Sequence, residues 1–186
     1  MRREDITTYM REGAETYFAI NPNQLYRIGN EIGKQLKKGK KLLIMGNGGS
    51  SIDAQHIAAE FIGMFEKKRR ALPAIALTSN MSTITALGND FGYEKAFERQ
   101  VEAFANPGDV VIAMSTSGNS VNVVNAVTKA NALKCVTVAM TGRTGGKLGG
   151  VAKYTVKISS ERTPIIQEAH VIVGHILSKI VEDMVG

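Results

Sequence analysis

The chain reads as an α/β protein built on a parallel sheet, and three observations lead there. Two helical patterns open it, and short apolar runs then alternate with helical segments. The central runs are apolar without alternation, as expected of strands covered on both faces and therefore of a parallel sheet. Two of these runs end in loops of glycine, serine and asparagine that open helices, Gly46-Asn47-Gly48-Gly49-Ser50-Ser51 and Ser115-Thr116-Ser117-Gly118-Asn119-Ser120.

Taken in order, residues 4–20 form a first helix with Ile6, Tyr9, Met10, Tyr17 and Ile20 towards one side. Asn21-Pro22 is the cap and first turn of a second, with the stripe Leu25, Ile28, Ile32 and Leu36 and a stop at Gly39. Strand runs follow near 41–45, 73–78, 110–114, 135–140 and 153–158. The segment from Pro164 to Met184 is apolar around most of its circumference, so it is buried on more than one side. A subunit interface is its expected second cover. Gln167, Glu168, His170 and His175 lie within it and need partners wherever they are buried. His170 reads as a satisfied histidine of the core or interface. No repeat, low-complexity tract or linker interrupts the pattern, so residues 1–186 read as one domain with two N-terminal helices.

Apolar residues make up 44% and charged residues 22%, which places the chain among ordinary globular proteins. The opening Met1-Arg2-Arg3-Glu4-Asp5 is charged throughout, unlike a signal peptide, and no stretch suits a bilayer span. The single cysteine, Cys135, sits in an apolar run and reads as a strand thiol without a disulfide partner. A cytoplasmic setting is the expectation. The net charge of +6 comes largely from Lys34–Lys41 and Lys67–Arg70, beside helix ends where the dipole favours cations. No nucleic-acid-binding motif accompanies it, so the charge is assigned to attraction of an anionic metabolite.

The two loops carry the chemistry. A strand that ends in such a loop and opens a helix presents unpaired N–H groups and the positive end of the dipole. Glycine after a strand is often only a tight turn, but two hydroxyl-rich loops in one chain point to a phosphorylated small molecule. In the helix after the first loop, His56 and Glu60 share a face. Such a spacing also makes an ordinary surface pair. Their small and apolar neighbours Ile57, Ala58, Ala59, Phe61 and Ile62 favour proton transfer or metal binding instead. Gln167 and His175 are eight residues apart, about 12 Å along a continuous helix at ~1.5 Å per residue. Zinc ligands stand only ~2 Å from their ion. Either Gln167 precedes the regular helix, or the two residues serve one site from different subunits.

These motifs together resemble the phosphoheptose isomerases of the sugar-isomerase (SIS) domain superfamily. The resemblance rests on the first loop with Asp53-Ala-Gln-His56-Ile-Ala-Ala-Glu60, on Leu72–Leu77, Gly88–Gly92 and Pro107-Gly-Asp109, on Ser115–Ser120, and on Ile166-Gln-Glu-Ala-His170 with Gly174–Leu177. It implies a three-layer, flavodoxin-like fold with a five-stranded parallel sheet in the order 2-1-3-4-5. It also implies a homotetramer with active sites shared between subunits. Asn47, Gly48 and Gly49 would line the sugar site, with Asn89 and Asp90 at sugar hydroxyls. Ser115, Thr116, Ser117 and Ser120 would hold the phosphate. His56, Glu60, Gln167 and His175 match the family's zinc ligands, one ion per subunit, with Gln167 also at the substrate. Glu60 and His175 match its base and acid.

By this resemblance the reaction is the conversion of sedoheptulose 7-phosphate to D-glycero-D-manno-heptose 7-phosphate through an enediolate. Two departures from the pattern stand out: Ile165 replaces an arginine common in relatives, and Ser51-Ile52 replaces Ala-Ala. Two alternatives accompany the reading. One is an SIS-domain regulator that binds a replication initiator, but such relatives lack the histidine matching His175 and have an altered Ser-Thr-Ser loop. The other is isomerisation of a different sugar phosphate.

Overall fold

The helices start in different ways, some capped by a side chain and others open. In the computed structural model, which describes residues 2–186, α1 runs Arg3–Phe18 and α2 Pro22–Lys37. Asn21 caps α2 by accepting from the Asn23 and Gln24 amides at 3.0 and 3.2 Å, with Pro22 in the first turn. The remaining elements are β1 (Leu42–Gly46), α3 (Gly49–Ile62), β2 (Ala74–Ala76), α4 (Met81–Phe91), α5 (Ala96–Phe104), β3 (Val110–Ser115), α6 (Val121–Ala132), β4 (Val136–Thr141), α7 (Gly146–Val151), β5 (Tyr154–Lys157) and α8 (Thr163–Val185). A 3-10 turn at Tyr93–Lys95 joins α4 to α5.

The strands form one parallel sheet in the order β2-β1-β3-β4-β5, as expected. Side chains of successive strand residues point to opposite faces, and here both faces are apolar. Leu42, Ile44, Val110, Ile112, Met114, Val138 and Met140 pack with α2, α3 and α8 on one side. Leu43, Met45, Val111, Ala113 and Ala139 pack with α5, α6 and α7 on the other. This two-sided burial explains the unbroken apolar runs. Burying each large aliphatic side chain contributes about 1.5–3 kcal/mol.

Pairing of Gly46 with Met114 brings the carboxyl ends of β1 and β3 side by side. α3 leaves β1 on one face while α6 leaves β3 on the other. Both glycine-serine loops therefore open onto the crevice where open α/β sheets bind ligands.

α8 is a continuous helix from Thr163, so Gln167 lies inside its regular portion and does not precede it. Its apolar residues Ile166, Ala169, Val173, Leu177 and Val181 join the core under α2 and α3. His170 is fully buried with them, but neither ring nitrogen has a hydrogen-bond partner, against the expectation of a satisfied histidine. Burial pushes its pKa down to about 4, against an opposing pull from the Thr141 main chain.

This makes stability pH-dependent. In the unfolded chain the imidazole titrates near 6.5. Below that pH the unfolded chain holds more protons, so stability falls as pH drops towards about 4. The loss attributable to His170 is of order 3 kcal/mol. Urea midpoints at pH 7 and 4.5 should diverge in the parent and less in His170→Leu; equal divergence would assign the effect to other groups.

Candidate active site

The first loop turns directly from β1 into α3, with Gly48 at a positive φ of 55° and no side chain capping the helix. Asn47 is held from across the crevice. Its amide exchanges hydrogen bonds of 2.9 Å with the amide of buried Asn122 in α6, and Tyr93 donates to its Oδ1 at 2.9 Å. The Asn47–Asn122 pair thus ties the two loops into one structure. Neither Asn122 nor Tyr93 stands out in the sequence, because each acquires its role only through pairing across the crevice.

In the second loop, the Ser115 hydroxyl lies 2.9 Å from that of Ser120 and 3.5 Å from that of Ser117. Ser117 Oγ accepts from the Asn119 amide at 3.1 Å. Ser120 precedes α6 but does not cap it, since its hydroxyl turns to Ser115. The segment after β4 braces this loop: Leu148 N–H donates to Gly118 O, Lys147 N–H to Asn119 Oδ1, and Gly142 N–H to Thr116 O. Gly118 has a φ of 68°, and a Cβ there would collide with the Gly145 carbonyl. Thr116 and Ser117 face a cleft of about 230 Å³ shared with Arg143, Thr144 and Ile166.

α3 carries Asp53, His56 and Glu60, and α8 lies across it. A Cβ on Gly174 would stand 2.5 Å from Ile57 Cδ1, so glycine at that position permits the close approach. The next residue, His175, then meets α3. Its Nε2 lies 2.8 Å from Nε2 of His56, and His56 Nε2 lies 3.6 Å from Glu60 Oε1. The two rings meet at 61° with centroids 5.1 Å apart, and the Phe65 ring packs against His175 with centroids 5.4 Å apart. One turn before His56, Asp53 has a buried Oδ2 without a partner. Burial raises its pKa, partly offset by His56.

His56, Glu60 and His175 offer ligand atoms within 4.8 Å of one another, a grouping a metal ion fits. Bonds of ~2 Å in a tetrahedral site would set ligand atoms roughly 3.3 Å apart, close to the spacings seen. Two imidazoles and one carboxylate also form a known donor set of catalytic zinc, which leaves a fourth position.

Among the described residues no hydrogen bond joins Gln167 to this cluster. It lies two turns earlier on the same helix, with its amide against Gly49, where a Cβ would collide with it. Asn89 and Asp90 are exposed near the end of α4, where Asn89 donates to Asp90 at 2.8 Å. No hydrogen bond joins either to the cluster among the described residues. Ile165, at the departure from the usual arginine, is fully buried.

Comparison with known proteins agrees with this architecture. Residues 8–142 match the SIS domain family. Phosphoheptose isomerase of Aquifex aeolicus is 50% identical over 185 residues, covering 98% of this chain and 97% of that protein. The structure of a phosphoheptose isomerase from Francisella tularensis superposes with a TM-score of 0.92 at 34% identity, over 98% of this chain and all of the other (100%). That of Neisseria gonorrhoeae gives 0.91 at 35% identity, covering 97% and 98%. The chain therefore belongs to the SIS domain family and, within it, to the phosphoheptose isomerases, a family of enzymes.

Proposed function

We propose that this enzyme interconverts an aldose and a ketose phosphate, taking sedoheptulose 7-phosphate to D-glycero-D-manno-heptose 7-phosphate. One observation carries the reading: the hydroxyl loop Ser115–Ser120 follows β3, while His56 and Glu60 lie on the helix that leaves the adjacent strand β1, where His175 of α8 joins them. An anion-binding loop beside a proton-transfer group is what isomerisation of a phosphosugar requires. The names of the relatives supply the substrate class.

In this reading Ser115, Thr116, Ser117 and Ser120 hold the phosphate at the uncapped start of α6. Asn47, Gly48 and Gly49 line the sugar, with Asn89, Asp90 and Gln167 at its hydroxyls. Binding of the remote phosphate orients the reacting carbons. Glu60 takes the proton from one carbon and returns it to its neighbour through an enediolate, and His175 serves the oxygen. His56, Glu60 and His175 would hold zinc, with Gln167 as a fourth ligand. A bound metal supplies charge to polarise the substrate oxygen.

Gln167 and His175 lie eight residues apart on one helix, and in this reading Gln167 serves the cluster of another subunit. A homotetramer with shared sites meets this requirement. Exposed apolar side chains support it: Phe18 is 91% exposed, Ile52 69% and Met81 67%, and α4 buries none of its residues. The described chain, from α1 to α8, would act as one SIS unit in that assembly. No described helix is long and apolar enough to cross a membrane, and a sugar-phosphate substrate fits the cytoplasm. The regulator alternative is disfavoured by the intact His175 and Ser-Thr-Ser sequence.

Four outcomes follow. Glu60→Gln keeps the side-chain shape and should retain substrate binding while kcat falls ~10²- to 10⁴-fold; parent turnover in both Glu60→Gln and His175→Asn would refute the mechanism. Ser117→Asp should nearly abolish binding of the sugar phosphate by like-charge repulsion, and calorimetry showing parent affinity would move the phosphate elsewhere. Light scattering should give four subunits, and a stable monomer at micromolar concentration would remove the shared site. Rates on five-, six- and seven-carbon ketose phosphates should be highest for the seven-carbon substrate.

A further inference from the structure

The end of α3 that carries Glu60 is finished by an unusual buried ion pair. A helix C-terminus leaves carbonyls without intrahelical donors. Here Arg69 supplies them. Its Nη2 donates to the Glu60 carbonyl at 2.6 Å, and its Nη1 to the carbonyls of Phe61, Gly63 and Arg70 at 2.9, 3.0 and 3.1 Å. The guanidinium thereby sits at the negative end of the helix dipole. Its Nε faces Glu182 Oε1 at 3.2 Å, with the two side chains 1% and 0% exposed.

Glu182 belongs to α8, seven residues after His175. Besides Arg69, its carboxylate accepts from the amides of Phe65, Glu66 and Lys67 at 3.0, 2.8 and 3.0 Å. It therefore folds the segment after α3 back onto α8. The first residue of that segment held this way, Phe65, is the one whose ring packs against His175. One ion pair thus fixes both sides of the cluster: the Glu60 main chain through Arg69, and the wall behind His175 through Glu182. Buried ion pairs are a poor source of net stability compared with apolar packing. Here the pair's distinctive output is geometry.

We propose that Arg69 and Glu182 are positioning residues that set Glu60 on α3 against His175 on α8 for the isomerase reaction. This rests on the reading that Glu60 and His175 act on the substrate. Arg69→Lys keeps the charge but loses the planar fork that reaches four carbonyls. Glu182→Gln keeps the shape but loses the ionic partner.

The test compares kcat and KM per folded molecule for both variants on sedoheptulose 7-phosphate, beside Glu60→Gln and Lys41→Met. Lys41→Met breaks the Lys41–Asp109 pair at the opposite end of the sheet and controls for lost stability alone. In Arg69→Lys and Glu182→Gln, kcat should fall about 10- to 100-fold, as for a misplacement near 1 Å. KM should stay within about threefold, because the serine loop touches neither residue. Lys41→Met should lower Tm with kcat unchanged. Parent kcat in either folded positioning variant, with Glu60→Gln inactive, overturns the proposal and leaves the site reading standing. An equal fall of kcat in Lys41→Met assigns the effect to stability and also overturns it. Parent turnover in Glu60→Gln removes the site reading, and the positioning role with it. Should Arg69→Lys fail to fold, the near-isosteric Glu182→Gln decides the question.

Discussion

The handedness of the crossovers governs everything else in this molecule. Parallel neighbours joined through helices connect right-handedly, so the direction in which the chain steps along the sheet decides which face each helix covers. From β1 the chain steps outward to β2, and from β3 it steps the other way to β4. α3 and α6 consequently leave adjacent strand ends on opposite faces. The resulting crevice sets two helix starts and their loops side by side. The reciprocal Asn47–Asn122 amides close this gap at 2.9 Å and make the loops a single rigid rim.

Upon that frame α8 performs the second arrangement. It is the last element in the chain, yet it packs on α1, α2 and α3 together. Small residues allow this: Gly29 and Gly33 of α2 admit Ile180 and Met184, and Gly174 of α8 admits Ile57. Tyr9 and Tyr17 of α1 donate to Glu168 at 2.6 and 2.7 Å, which fastens the first helix to the last. Burial and the Glu168 contact push the Tyr17 phenol far above its ordinary range. His175 is thereby delivered to His56 and Glu60 by packing over more than a hundred intervening residues.

Much of this was legible because it is local or periodic. Two-sided apolar runs, the Asn21-Pro22 cap and the i,i+4 spacing of His56 and Glu60 each depend on neighbours within a turn or two. The clustering of cations in Lys67–Arg70 was legible as a helix-end signal, and Arg69 indeed caps α3. What escaped was pairing across the fold. Asn122, Tyr93 and Glu182 each look like ordinary surface-capable polar residues, since their partners lie 75, 46 and up to 117 positions away. His170 escaped for the opposite reason. Sequence reasoning assumes that a buried imidazole finds a partner, and this one is kept neutral by burial against the pull of the Thr141 main chain.

The distribution of polar groups within α8 shows how one apolar helix can serve several masters. Gln167 meets the start of α3, Glu168 faces α1, His175 meets the middle of α3, and Glu182 gathers the segment after α3. Gln167, His175 and Glu182 thus follow α3 and its continuation along their length while Glu168 turns to α1, and the residues between them fill the core. Replacing any of them with leucine would improve the apolar count and remove a direction. The helix must be apolar to fold here and polar at chosen points to aim what it carries. In the proposed reaction that second requirement is the stricter one, because proton transfer tolerates far less displacement than burial does.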